Sequence, residues 1–153
     1  MAPLPTNLRV ASDITVSLWF RATRVDTGNA AELVSGAGGY VIRLRSGGLE
    51  VTKRTQGISL PCGGNIPSVL DGRWHHVAGV FTRTSVRGYH NGTEFCSYGN
   101  SDEYQYNSGA QLSVGRHADA TQYDFDGNLD EVRIYNRALS RTEVTALAAG
   151  QNL

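Results

Sequence analysis

The sequence predicts an all-β fold, a sandwich of two antiparallel sheets with one short helix at its C-terminal end. Eighteen glycines and four prolines in 153 residues indicate many turns. Short segments with alternating polar and apolar side chains follow one another at nearly regular spacing, which is typical of such sandwiches. Asn91-Gly92 lies between two of these segments and is the strongest short signal for a β-hairpin.

The expected strands follow from this alternation. They are residues 13–22, 31–35, 40–45, 49–54, a short piece near Ile58, and then 74–82, 86–90, 93–97, 112–115 and 129–135. In the first strand Ile14, Val16, Leu18 and Phe20 share one face, and their polar neighbours share the other. The polar stretches 98–110 and 117–123 are expected to be loops.

The helix is expected at the C-terminal end, where several start and stop signals coincide. Ser140 fits the N-cap position and Glu143 the third helical position, which together make a capping box. Leu139 can pack against Val144 across the first turn. Gly150 is expected to end the helix, because glycine adopts the backbone angles that follow a helix C-terminus.

Three stretches carry a family resemblance. They are residues 126–140, which combine a turn, a strand and a helix start; residues 71–78 (Asp-Gly-Arg-Trp-His-His-Val-Ala); and residues 112–116 (Leu-Ser-Val-Gly-Arg). In this order they resemble the laminin-G-like, concanavalin A-like jelly rolls of the lectin/glucanase superfamily, relatives of the pentraxins. The resemblance implies a single jelly-roll domain over residues 1–153. It says less about activity, because this fold hosts lectins, adhesion modules and hydrolases.

The resemblance also implies that the family's usual N-terminal strand is missing. Family members begin with a strand carrying a Phe-Asp-Gly motif, and Met1 falls after that point. That strand normally lies beside the one matching residues 129–135. We expect residues 3–10 to occupy the empty place; the alternatives are pairing with a second copy of the chain, or an edge left in solvent.

Composition limits the partners and the compartment. The net charge is zero, whereas nucleic-acid and acidic-membrane binding require a basic surplus. The N-terminus lacks the basic and apolar regions of a signal peptide, and no apolar run is long enough to cross a bilayer. Because the family usually works as an exported module, we expect an extracellular or cell-surface location within a larger exported protein. Cys62 and Cys96 are expected either to form one disulfide or to remain separate buried thiols.

Catalysis is not expected. Hydrolases of this fold need two carboxylates, which the laminarinase-like group carries in a Glu-x-Asp-x-Glu strand that this sequence lacks, and the residue sets of the related alginate lyases are also missing. Asp130 and Glu131 are neighbours on an expected strand, so they would face opposite sides. The adjacent histidines 75 and 76 cannot chelate one ion for the same reason. The resemblance implies that Trp74 and His76 belong to the core.

A structural calcium ion is the cofactor that the resemblance suggests. Calcium prefers several oxygen ligands from carboxylates, amides and carbonyls. Asp126, Asn128 and Asp130 could supply them, since relatives often hold calcium partly through the aspartate matching Asp130. The alternative is that Asp126 and Asn128 cap a turn and Asp130 pairs with an arginine.

Carbohydrate binding is the function that we expect. Sugar sites combine a flat aromatic ring with planar polar groups, and two polar loops contain Tyr104, Tyr106, Arg116, His117 and Tyr123. The arginines at positions 43 and 45 share one strand face and could bind acidic sugars. Alternatively, the tyrosines pin their loops to the sandwich. The sequence thus predicts a non-catalytic, lectin-like module of a polysaccharide-acting enzyme or surface protein; the alternatives are a protein–protein adhesion module and a polysaccharide hydrolase or lyase.

Overall fold

The computed structural model describes residues 2–5, 13–25, 30–36, 39–45, 48–55, 58–66, 69–99, 101, 103–104, 106, 110–117 and 123–153. Within these residues the elements are β1 (Ala2–Pro3), β2 (Ile14–Arg21), β3 (Ala30–Gly36), β4 (Tyr40–Arg45), β5 (Gly48–Thr55), β6 (Ile58–Asn65), β7 (His75–Phe81), β8 (Ser85–His90), β9 (Thr93–Gly99), β10 (Gln111–Val114), β11 (Asn128–Tyr135) and α1 (Arg141–Ala148). The expected strands are therefore present, most of them with ends shifted by one or two residues.

The strands form two antiparallel sheets, which confirms the predicted sandwich. The six-stranded sheet has the order β1-β10-β3-β4-β5-β6, and the five-stranded sheet has the order β11-β2-β7-β8-β9. The core lies between them and includes the four apolar residues of β2, namely Ile14, Val16, Leu18 and Phe20. Alternation along each strand thus separates the core from two outer faces.

A disulfide joins the two sheets. Cys62 on β6 and Cys96 on β9 are bonded, with their Cα atoms 5.7 Å apart. β6 and β9 are edge strands of different sheets, so the bond closes one side of the sandwich. Such a cross-link restricts the unfolded chain and typically stabilises a domain by about 2–4 kcal/mol.

Helix α1 begins and ends as its sequence predicts. The Ser140 side chain accepts from the Glu143 backbone, and the Glu143 side chain accepts from the Ser140 backbone. At the other end Gly150 has φ +79°, and the amides of residues 150 and 151 donate to the carbonyls of Leu147 and Ala146. This is the Schellman pattern. No helix among the described residues is long and apolar enough to cross a membrane.

The N-terminal segment lies in a different place from the expected one. Ala2 and Pro3 pair with β10, in the six-stranded sheet, and the buried Leu4 donates its amide to the Ala110 carbonyl at 2.8 Å. The prediction that residues 3–10 lie beside β11 is therefore wrong for residues 3–5, and residues 6–10 lie outside the described part. Leu4 explains the difference, because it packs with Ala110 in a small apolar cluster. Among the described strands, β11 has β2 on one side and no strand on the other.

The expectation that Trp74 belongs to the core is also wrong. Trp74 precedes β7 and is 41% exposed, with the Arg21 guanidinium 5.3 Å from its ring centre. The pairing of β7 with β2 begins at His75. Trp74 is therefore outside the strand, and the alternation of buried and exposed side chains along β7 does not apply to it. His76 is buried but does not lie in the core between the sheets, because its Nε2 lies 2.8 Å from the Ser17 hydroxyl on the outer face of the five-stranded sheet.

The exposure of Trp74 predicts a small effect of its removal. Trp74→Ala should change the free energy of unfolding by less than about 1 kcal/mol, as surface substitutions usually do. Phe81→Ala is the matched control: this ring is fully buried, and its loss should cost about 3–5 kcal/mol. Urea unfolding of both variants makes the comparison, and equal losses would show that Trp74 supports the core after all.

The buried His76 predicts lower stability in acid. Burial, together with repulsion from His90 and Arg133, lowers the pKa of His76 from 6.5 to about 4. Between these values the unfolded chain binds a proton that the folded chain does not, so stability present above pH 6.5 is lost as the pH falls. Because of His76 alone, we expect the free energy of unfolding to fall by about 2 kcal/mol between pH 8 and pH 5. Urea unfolding at both pH values measures it; a His76→Gln variant with an undiminished pH dependence would contradict the assignment.

Candidate binding site on the outer face of the six-stranded sheet

Charged residues form a row across three neighbouring strands of the six-stranded sheet. Glu32 on β3 pairs in register with Arg43 on β4, and Arg43 pairs with Glu50 on β5. Arg45 and Arg54 lie on the same outer face, because side chains two residues apart on a strand point the same way. We call Glu32, Arg43, Arg45, Glu50 and Arg54 the arginine platform.

Glu50 holds two of the arginines. Its side chain is 8% exposed and contacts both Arg43 and Arg45, the latter with Nη1 at 3.3 Å from Oε2. The Thr52 hydroxyl donates to Oε1 at 3.0 Å. A buried carboxylate with several donors is well compensated, so Glu50 fixes the positions of both guanidinium groups.

Glu32 is less well compensated. Its side chain is 1% exposed, with Oε1 3.6 Å from Arg54 Nη2 and 3.7 Å from His117 Nε2. Neither of its oxygens accepts a hydrogen bond from the described residues. Burial raises the pKa of Glu32, and the charges of His117 and Arg54 partly oppose this. The carboxyl group of Glu32 therefore lies close to the Arg54 guanidinium and the His117 ring at the β3 side of the platform.

Three of the five predicted sugar-binding residues adjoin this side. The backbone amide of Gly115 donates to the Leu33 carbonyl, and the backbone amide of Glu32 donates to the Tyr123 carbonyl, both at 2.9 Å. These bonds attach residues 115 and 123 to β3. The rings of His117 and Tyr123 lie 5.4 Å apart, and Arg116 Nε lies 3.9 Å from Asp124 Oδ1.

The other two predicted residues lie elsewhere. Tyr104 and Tyr106 stack on each other at 6.1 Å, and Lys53 Nζ lies 4.6 Å from the Tyr104 ring centre. The Tyr104 hydroxyl donates to the Thr82 carbonyl of the opposite sheet at 3.4 Å. Burial raises the pKa of Tyr104. Both rings thus pack around the buried Lys53. We therefore do not include Tyr104 and Tyr106 in the candidate site.

Sequence reasoning missed Glu32, Glu50 and Arg54. The available signal was opposite charge on outward positions of neighbouring strands, which favours cross-strand pairs. The register that brings these positions together depends on contacts between distant residues, so the sequence alone did not reveal the row. The arginines at positions 43 and 45 were correctly placed on one face.

Known proteins share this architecture. Residues 2–145 match the family model described as the concanavalin A-like lectin/glucanases superfamily. The chain belongs to this superfamily. Domain 4 of AbnA, an extracellular GH43 arabinanase from Geobacillus stearothermophilus solved with arabinotriose, is 27% identical, with TM-score 0.74 over 95% of this chain and 71% of that one. No curated protein sequence matches.

Two further structures support the fold alone. A SAP-like pentraxin from Limulus polyphemus is 19% identical, with TM-score 0.71 over 97% of this chain and 73% of that one. A putative carbohydrate-binding protein from Bacteroides ovatus is 18% identical, with TM-score 0.72 over 95% of this chain. This chain covers 42% of that protein.

The platform carboxylates are poorly placed for the hydrolysis that some members of the superfamily perform. Glycosidases present two carboxyl groups to an open cleft, one of them as a proton donor. Glu32 and Glu50 are both buried and lie against arginines. In this arrangement they orient cations, and neither is presented to a glycosidic oxygen.

The predicted calcium ligands all lie on the surface. Asp126 Oδ2 accepts from Arg24 at 2.8 Å, and Asn128 Oδ1 accepts from Arg21 at 3.1 Å. Asp130 Oδ1 accepts from the next backbone amide at 2.8 Å. Among the described residues, no group of three or more His, Cys, Asp or Glu side chains could hold a metal ion. Calcium binding by this superfamily member stays a prediction.

The arginine contacts predict a weak response to calcium. A calcium ion at Asp126 and Asn128 would have to displace Arg24 and Arg21 from the ligand oxygens. We therefore expect melting temperatures in calcium and in chelator to agree within a few degrees, because weak binding at ordinary concentrations stabilises little. A large calcium-induced rise that disappears in Asp130→Ala would contradict this expectation.

Proposed function

We propose that this domain is a non-catalytic carbohydrate-binding module whose glycan lies on the arginine platform. The observation that carries the proposal is that two buried carboxylates hold partly exposed arginines from beneath. The side chains of Arg45 and Arg54 are 50% and 30% exposed. Glu50 orients Arg45 through a hydrogen bond before a ligand arrives, which lowers the entropy cost of binding, and Glu32 attracts Arg54 at 3.6 Å.

The neighbouring groups suit a sugar. Guanidinium N–H groups donate to ring and hydroxyl oxygens in fixed directions. Tyr123 offers a half-buried ring beside His117, and such a ring can pack against the C–H face of a sugar. Planar donors and an aromatic ring are thus present together at the β3 side of the platform.

The net charge around the arginine platform limits the class of glycan that is expected to bind there. Among the described residues around the platform, four arginines, at positions 43, 45, 54 and 116, face three carboxylates, at positions 32, 50 and 124. The small positive surplus favours neutral or weakly acidic polysaccharides over highly sulfated ones, which require dense positive charge. Because a similar domain was solved with arabinotriose, arabinan is the first neutral probe.

The proposed context is a module of an exported polysaccharide-acting enzyme or of a cell-surface protein. The similar arabinanase domain belongs to an extracellular enzyme. The inter-sheet disulfide also fits an oxidising compartment. Both observations support the proposal without identifying the host protein.

The test is affinity electrophoresis of the chain through gels containing arabinan or polygalacturonate. We expect at least one polysaccharide to retard the wild-type chain. Arg45→Ala and Arg54→Ala should each weaken binding about tenfold or more, since a hydrogen bond to a charged group is worth about 1.5–3 kcal/mol. Arg141→Ala is the control, because this exposed arginine pairs with Glu94 near the other sheet.

Two results would overturn the proposal. One is the absence of retardation by any polysaccharide in a broad panel, which would favour an adhesion module. The other is retardation that both platform variants retain while their melting temperatures match the wild type. That outcome would place the glycan site elsewhere on the domain.

A further inference from the structure

A cleft lies over the outer face of the five-stranded sheet, beyond the end of α1. Its volume is about 240 Å³. Trp19 on β2 and His76 on β7 contribute to its sheet side, Glu131 and Arg133 to its β11 side, and Gln151 and Asn152 to the side after the helix. None of these residues belongs to the arginine platform, which lies on the other sheet.

A β-bulge brings the charged residues of β11 to this cleft. The register of β11 against β2 shifts between Asp130 and Arg133, and Glu131 has φ +51°. The bulge inserts one extra residue and so reverses the alternation that follows. Val132 and Ile134 then pack against the core, while Arg133 lies outward opposite Ser17.

The polar groups of the cleft are ordered by one another. Arg133 Nη2 donates to Glu131 and, at 2.8 Å, to Asn152 Oδ1. Arg133 contacts one of the two carboxylate oxygens of Glu131. It contacts the amide oxygen of Asn152 and not the amide nitrogen. A carboxylate acceptor close to guanidinium and amide donors matches a vicinal diol, whose hydroxyls both donate and accept.

The described residues on the floor of the cleft are not arranged as a serine nucleophile with an oriented base. Ser17 and His76 are hydrogen-bonded at 2.8 Å, which suggests a nucleophile and its base. However, Ser17 is 2% exposed, and His76 Nδ1 is buried with no hydrogen-bond partner among the described residues. A serine–histidine pair works with a third group that orients the imidazole at this nitrogen. The pair therefore serves the cleft as a fixed polar floor.

We infer that this cleft binds one neutral sugar ring, a pentose or a hexose. The opposite charges of Glu131 and Arg133 cancel, which favours a neutral ligand, and Trp19 supplies an aromatic wall. The volume is below the roughly 300–1,000 Å³ of sites for drug-sized ligands, so it fits a single ring. The inference rests on the proposed function only in taking the ligand to be a carbohydrate. The residues that line the cleft, and the sheet that carries them, differ from those of the arginine platform.

The test uses the fluorescence of Trp19. The chain has two tryptophans, so Trp74→Phe leaves Trp19 as the sole reporter. Titration of this protein with arabinose, xylose, galactose, glucose and mannose should give a saturable change for at least one sugar. A Kd of about 1 mM is expected for so small a ligand. Backbone amide shifts of residues 150 and 151 in NMR spectra provide a second readout.

Variants separate this cleft from the platform. Glu131→Gln and Asn152→Ala should each raise the monosaccharide Kd at least fivefold, whereas Arg54→Ala should leave it unchanged. If no polysaccharide retards the chain but a sugar changes the Trp19 fluorescence, the glycan site on the arginine platform is refuted and the sugar site in the cleft is supported. The inference is wrong if neither readout responds to any of these sugars, or if both cleft variants titrate like the parent.

Discussion

Two buried carboxylates determine how the outer face of the six-stranded sheet is organised. A carboxylate removed from water is costly unless cations or donors lie beside it. Glu50 has Arg43, Arg45 and Thr52 within contact, and Glu32 has Arg54 at a longer distance. The carboxylates consequently contact these arginines from the protein side, while the side chains of Arg45 and Arg54 stay 50% and 30% exposed.

The two outer faces of the sandwich differ because the one helix of the described residues, α1, lies on the five-stranded sheet. Val144 and Leu147 of α1 pack with Ala78 and Val80 of β7, so this part of the five-stranded sheet is apolar and covered. Beyond Gly150 the helix has ended, and the sheet exposes polar groups in a cleft. The capping signals that set the helix length therefore also set where the cleft opens.

The burial of the aromatic side chains did not follow from their local sequence. Tyr104 and Tyr106 occur in a polar stretch, which is typical of ligand-binding loops, yet they pack beside the buried Lys53. Trp74 occurs in a family motif and is exposed, although the motif suggested burial. In each case burial depends on what the rest of the chain places nearby, and local sequence carries little of that information.

The sequence by itself determined the features that depend on neighbouring residues. Alternation defined β2 and β4, Asn91-Gly92 defined the hairpin, and Ser140 with Glu143 defined the helix start, because each reflects local backbone geometry. Only the tertiary structure decided the register that lines up Glu32, Arg43 and Glu50, the partner of β1, and the bulge at Glu131. These depend on contacts between residues far apart in the chain, and many registers are compatible with one alternating pattern until the whole core is packed.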